Sequence, residues 1–308
     1  MSDAIAGESA FSIPGPDGPL SGTLLLPSEV AAPPAILILP GSGPTDRDGN
    51  NPLGIQAATY AKLAQALAEQ GVASLRSDKR GLFESAGAIQ NPNAVTIADY
   101  VTDTAGWVEA IRAETGVGCV WLVGHSEGAL IALVAAQSME SLCGLVLLAA
   151  PGRPLGDILQ EQFAASLGDP ALVQQSGAAI EALERGQRVD AENLDQAIRS
   201  LFADDLQGFL ISLFSYDPAR LIAPLDLPIL IVHGQQDLQV PDGDAQRLHR
   251  SNPGSELLVI DDVNHLLKSV KIGDRQDNLE SYADPDRPIS GRVVQAIADF
   301  VLQGREAR

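Results

Sequence analysis

The sequence predicts an α/β protein: a mostly parallel, doubly wound sheet that carries a helical insertion. Three observations lead there. Apolar runs of strand length alternate with segments of helical period over most of the chain. One junction reads Gly124-His125-Ser126-Glu127-Gly128, between the apolar run Val117–Val123 and the Gly- and Pro-free run Ala129–Ala136. The alternation stops between Arg153 and Pro224, where no strand-like run occurs.

Taken in order, Ser12 to Pro27 reads as a hairpin turning on Pro14-Gly15-Pro16-Asp17-Gly18-Pro19, a cluster of turn formers. Ala35–Leu39 is wholly apolar, as a strand buried on both faces must be. The loop Pro40–Pro52 leads to a helix over about Tyr60 to Gln70, with Gly71 at its end and a strand at Val72–Arg76. Thr96 to Glu114 has helical spacing. A strand at Gly144–Ala149 follows the Ser126 junction, and alternation resumes with Pro228–Val232, a helix near Asp242–Ser251, a strand at Glu256–Ile260 and a closing helix Gly291–Leu302. Within the interruption, Leu155, Ile158, Leu159 and Phe163 share one helical face, and Phe202, Leu206, Phe209, Leu210, Leu213 and Phe214 form a second amphipathic segment. We expect three to five helices there, acting as a lid. The division is 1–152 core, 153–225 lid and 226–308 core. The polar segment Gly273–Pro288 reads as a surface loop.

Composition narrows the function. At 308 residues and 45% apolar content, the chain can bury a large core. Forty acidic against twenty basic residues give a net charge of −20, a surface that repels phosphate backbones and anionic lipid. Nucleic acid and membrane are therefore not expected partners; a small-molecule substrate is. The start, Met1–Glu8, has neither a basic nor an apolar leader segment. Cys119 and Cys143 stand singly inside apolar runs and read as buried free thiols, which makes a reducing cytoplasm the expected compartment. Asp46-Arg47-Asp48-Gly49-Asn50 hints at calcium, but an EF-hand register would put Gly and Glu where Asn51 and Ala57 stand. An ion pair at the rim of a site fits that loop better.

The Ser126 junction points to chemistry. Strand, tight turn and helix are what a nucleophile elbow needs, and a strained turn tolerates only small residues two positions either side of the serine. Gly124 and Gly128 occupy those positions. A serine hydroxyl needs a base, and the base an orienting acid. Of four histidines, His125 lies inside the elbow, His233 ends a buried strand and His249 sits mid-helix beside Arg247 and Arg250. That leaves His265, in the loop after strand Glu256–Ile260. Asp237, beyond the end of the preceding strand, is the expected acid; Asp242 and Asp244 suit a helix N-terminus instead.

Ser126, Asp237 and His265, in that order, resemble the α/β-hydrolase superfamily over nearly all of the chain outside the insertion. Leu39-Pro40-Gly41-Ser42-Gly43-Pro44, Asp78-Lys79-Arg80-Gly81 and His233-Gly234-Gln235-Gln236-Asp237 resemble its lid-bearing bacterial esterase and serine-aminopeptidase-like branch, with Pro40 where many relatives carry histidine. The resemblance implies an α/β-hydrolase fold and hydrolysis of short- to medium-chain carboxylic esters through an acyl-enzyme, with no cofactor or metal. It also implies an oxyanion hole from the amides of Glu127 and Ser42, with Gly41 and Gly43 as alternatives. An aminopeptidase-like amide hydrolase would need lid acids to hold an amine, and Glu161, Asp204 and Asp205 are available. A thioesterase or acyltransferase is a further alternative.

Overall fold

The apolar runs at Ala35–Leu39, Val120–Val123, Leu142–Leu148 and Ile229–Val232 became central strands of one eight-stranded sheet, buried on both faces. The computed structural model describes residues 7–28 and 30–306, with side chains through 304. Residues Met1–Ala6, most of the segment on which the leader expectation rests, lie outside the described residues. The strands are β1 (Gly7–Pro14), β2 (Pro19–Leu26), β3 (Ala35–Leu39), β4 (Ala73–Ser77), β5 (Val120–His125), β6 (Leu142–Leu148), β7 (Ile229–Gly234) and β8 (Glu256–Ile260). Their spatial order is β1-β2-β4-β3-β5-β6-β7-β8. β2 pairs antiparallel with β1 and with β4, and every other pairing is parallel.

Helices cover both faces. Ala35, Leu37 and Leu39 of β3 pack toward α2 (Ile97–Thr115) and α3 (Glu127–Ala135), whereas Ile36 and Ile38 pack toward α1 (Thr59–Glu69) and α11 (Gly291–Glu306). α2 begins with a capping box in which the Thr96 side chain accepts from the Asp99 amide and Asp99 accepts from the Thr96 amide. α3 is buried all round, consistent with its apolar sequence.

Between β6 and β7 the described chain forms α4 (Leu155–Ser166), α5 (Pro170–Glu184), α6 (Gln196–Arg199), α7 (Gln207–Phe214) and α8 (Pro218–Ile222). α9 (Asp242–Ser251) and α10 (Arg275–Glu280) complete the set. Two elements were absent from the sequence-based expectation. A short two-stranded ribbon, Asn50–Asn51 with Ile55–Gln56, stands in the loop after β3, and α10 lies inside the segment expected to be a surface loop.

One expectation is overturned. Cys119 and Cys143 are bonded to each other as a disulfide, with Cα atoms 5.1 Å apart, rather than being free thiols. Cys119 enters β5 and Cys143 lies on β6, and the parallel pairing of those strands sets the two side by side. A 24-residue separation and single cysteines in apolar runs gave no sign of it. No described helix is long and apolar enough to cross a membrane.

Candidate functional site

Because β3 lies between β4 and β5, the chain leaves β3 toward one side of the sheet and returns for β5 on the other. Crevices form at such a switch point, beyond the C-terminal strand ends. The loop after β3 and the Ser126 turn after β5 meet there. Ser126 has φ 52° and ψ −118°, a conformation costly for a residue with a side chain. The flanking glycines are demanded by contact: a Cβ on Gly124 would lie 2.4 Å from the Gly128 carbonyl oxygen, and one on Gly128 would lie 2.2 Å from that of Leu39. α3 starts directly after the serine, so its first amides, Glu127 included, have no intrahelical acceptor.

β7 delivers Asp237 and β8 delivers His265 to the same crevice. Asp237 Oδ2 accepts from His265 Nδ1 at 2.7 Å, and Asp237 Oδ1 accepts from the amides of Gln239 (2.7 Å) and Val240 (2.9 Å). Burial opposes ionisation of Asp237, but the nearby imidazole and these donors outweigh it and hold the carboxyl below its usual range. With Nδ1 engaged, Nε2 is the His265 nitrogen left for other work.

The loop that presents His265 is fixed from behind. Asn264 Oδ1 accepts from the amides of Leu266 and Lys268, and its Nδ2 donates to Asn278 Oδ1 and Ser281 Oγ. Asn278 Nδ2 in turn donates to the carbonyl of Gln236, next to Asp237. The segment expected to be a surface loop therefore ties the loops that carry Asp237 and His265 together.

His125 is not a spare base. Its Nε2 donates to the His265 carbonyl at 2.8 Å, which leaves Nδ1 to accept from Tyr60 Oη at 2.8 Å, and Tyr60 Oη accepts from the Gly41 amide at 2.8 Å. This tautomer is the one the carbonyl requires. Burial, then the neighbouring His265, push His125 down to about 3, and burial also raises the Tyr60 hydroxyl. His233 is buried at the end of β7, and His249, in the last turn of α9, contacts Ser255 Oγ at 3.2 Å.

Of the three candidate donors in the β3 loop, Gly41 has its amide committed to Tyr60, while Ser42 and Gly43 face the crevice. Lys79 runs beneath that loop. Its Nζ donates to the Gly41 carbonyl at 2.6 Å and to Glu127 Oε1 at 2.9 Å, with the Gly43 carbonyl at 3.4 Å. Both charged groups are almost fully buried, a setting in which removing one partner costs about 3–5 kcal/mol. The Asp46–Asn50 loop does hold ion pairs: Arg47 with Asp78 and Glu84, and Asp48 with Arg76.

The crevice opens into a cavity of about 410 Å³ touched by Ser42, Ser126, Glu127 and His265. Its far wall is supplied by the insertion, with Leu155, Ile158, Phe163, Phe209, Leu213 and Phe214 among its apolar surfaces. Glu161, Asp204 and Asp205 are absent from that wall. Glu161 is paired with Arg153, the Asp204 carbonyl accepts from Arg188, and Asp205 accepts from Asn93.

Sequence reasoning missed Tyr60, Lys79 and Asn264. Lys79 alone had a signal, a cation immediately after a strand in Asp78-Lys79-Arg80-Gly81; for the other two, burial against distant loops is the information that was lacking.

The Hydrolase_4 family (serine aminopeptidase, S33) matches residues 53–205. Esterase EstD of Thermotoga maritima is 27% identical over 293 residues, which are 92% of this chain and 66% of EstD, so the chain spans just under two thirds of that relative's length. Among solved structures, Est1E from Butyrivibrio proteoclasticus superposes with a TM-score of 0.59 at 19% identity, covering 96% of this chain and 99% of Est1E. The Pyrococcus furiosus esterase Pf2001 gives 0.61 at 16% identity, over 97% and 91% of the two chains. At these identities the structural likeness speaks to the fold.

Proposed function

Because the chain is an α/β-hydrolase akin to the esterases, we propose that it hydrolyses carboxylic esters through an acyl-enzyme at Ser126. The observation that carries this is the 2.7 Å Asp237–His265 contact beside a serine on a strained strand-to-helix turn. Ser126 Oγ attacks the ester carbonyl while His265 Nε2 takes its proton, and Asp237 holds the ring and stabilises the imidazolium. The amides of Ser42 and Glu127 receive the oxyanion. The C–O bond breaks as Nε2 returns the proton to the leaving alcohol. Water then repeats the sequence on the acyl-enzyme, releasing acid and restoring Ser126.

The insertion at 153–225 acts as a lid, and its apolar wall selects the substrate. An apolar cavity of about 150 Å³ accepts a benzene. The 410 Å³ here has room for a short to medium acyl chain together with a ring-sized alcohol, but not for a long fatty chain beside one. An amine-terminal peptide fits less well, since Glu127, the acid at the wall, is already paired with Lys79. Cytoplasmic location was expected from free thiols, and the Cys119–Cys143 bridge removes that support. Thiol alkylation of protein from its native compartment decides it: a reactive thiol pair returns the cytoplasm, a blocked pair an oxidising compartment.

The decisive experiment is a p-nitrophenyl ester series run beside aminoacyl-p-nitroanilides and an acyl-thioester. Steady turnover should be confined largely to esters, with kcat/KM greatest at butanoate to hexanoate. Preference for the anilides would favour the aminopeptidase alternative, and a single turnover would make this a binding protein.

A further inference from the structure

A trans peptide group is planar, with its C=O and N–H directed to opposite sides. The Gly41–Ser42 peptide carries the Ser42 N–H at one end and the Gly41 carbonyl at the other. That carbonyl is held at 2.6 Å by the Nζ of Lys79, a residue that does not line the cavity that Ser42 touches. The preceding amide, Gly41 N–H, is held by Tyr60 Oη at 2.8 Å. The peptide is thus held at its carbonyl and through the amide before it, and its single N–H, that of Ser42, makes no hydrogen bond among the described residues.

We propose that Lys79 is a positioning residue for the ester hydrolysis described above: by gripping the Gly41 carbonyl, it aims and polarises the Ser42 amide at the developing oxyanion. This rests on the esterase chemistry proposed for Ser126. A charged donor on a carbonyl draws electron density through the amide and strengthens the N–H at its other end. The same ammonium also reaches Glu127 Oε1 at 2.9 Å. Glu127 is the residue whose amide is the second oxyanion donor, so one buried cation ties together both donor-bearing segments.

Strand order makes this possible. β4, which ends just before Lys79, lies on one side of β3, and β5, which leads into Glu127, lies on the other. A side chain leaving β4 therefore passes under the β3 loop to reach the start of α3. Tyr100 of α2 holds the ammonium from a third side, 5.5 Å from its ring centroid. Glu127 Oε2 has no hydrogen-bond partner among the described residues, so Lys79 is the partner that holds the carboxylate. The carboxylate keeps the ammonium in place, and the ammonium sets the peptide.

The test compares wild type with Lys79→Met, Glu127→Gln and the double variant. The double variant replaces the buried pair with neutral groups of similar shape and so removes the unpaired charge that either single change leaves behind. Its thermal midpoint should recover relative to Lys79→Met, while kcat stays about 10- to 100-fold below wild type and KM changes less than threefold, on the scale of a weakened oxyanion donor. Affinity for a trifluoromethyl ketone, whose adduct carries an oxyanion, should fall in parallel with kcat/KM. Affinity for the product carboxylic acid should not. If the double variant regains kcat together with stability, Lys79 is a purely structural cation and the proposal is overturned. If wild type itself turns over no ester and takes up no fluorophosphonate, the proposed esterase chemistry fails instead.

Discussion

Replacing His125 with glutamine should remove a large part of the protein's acid sensitivity. The imidazole is buried between Tyr60 and His265, hydrogen-bonded on both nitrogens as the neutral ring, and pushed down to about 3 from its ordinary 6.5. Between those values the unfolded chain binds a proton at this position and the folded chain does not. Stability from this group is therefore complete above pH 6.5, declines as pH falls, and levels off near pH 3. At about 1.4 kcal/mol for each unit, the loss reaches about 3 kcal/mol by pH 4.5 and about 5 kcal/mol at full protonation. Glutamine can accept from Tyr60 and donate to the His265 carbonyl without titrating. Urea unfolding of wild type and His125→Gln at several values from pH 7.5 to 4.5 isolates the effect, because the contribution of Asp237 is common to both. The difference in unfolding free energy should drift by about 3 kcal/mol toward the variant as pH falls. Two parallel curves would refute the buried neutral ring, whatever the offset between them at neutral pH.

Three further outcomes are expected. A fluorophosphonate probe should label the protein once, and Ser126→Ala should abolish labelling and ester turnover together; labelling that survives the substitution moves the nucleophile elsewhere. Phe209→Ala and Phe214→Ala, both in the cavity wall, should shift the preferred acyl chain to longer acids, each accommodated methylene adding about 0.8 kcal/mol to binding; an unchanged chain-length profile would detach the insertion from substrate selection. Reducing the Cys119–Cys143 bridge, which closes a 24-residue separation, should lower unfolding free energy by about 3 kcal/mol with little change in KM, and an unchanged unfolding curve under reductant would argue against the bond.

What the sequence determined by itself was whatever depends on near neighbours along the chain. β3 and β7 were legible as short apolar runs bounded by Pro and Gly, β8 as the apolar run Leu257–Ile260 after the turn formers Asn252-Pro253-Gly254, and α9 because its acidic start and apolar spacing mark a helix. The Ser126 turn was legible because its constraint is local: two glycines must flank a strained serine. Asp237 and His265 followed from strand ends, since a parallel sheet delivers the ends of β7 and β8 to one edge. Tertiary structure alone decided the rest. Cys119 and Cys143 became partners only when β5 paired with β6. Asn278 and Ser281, polar residues in a segment that reads as loop, became buried supports once Asn264 folded against them. Lys79 and Glu127 look like two solvated charges 48 positions apart until β4, β3 and β5 stack in that order. The physical reason is common to all three. Burial raises the value of a bond or charge pair that would count for little in water, and burial is a property of segments brought together from distant parts of the chain.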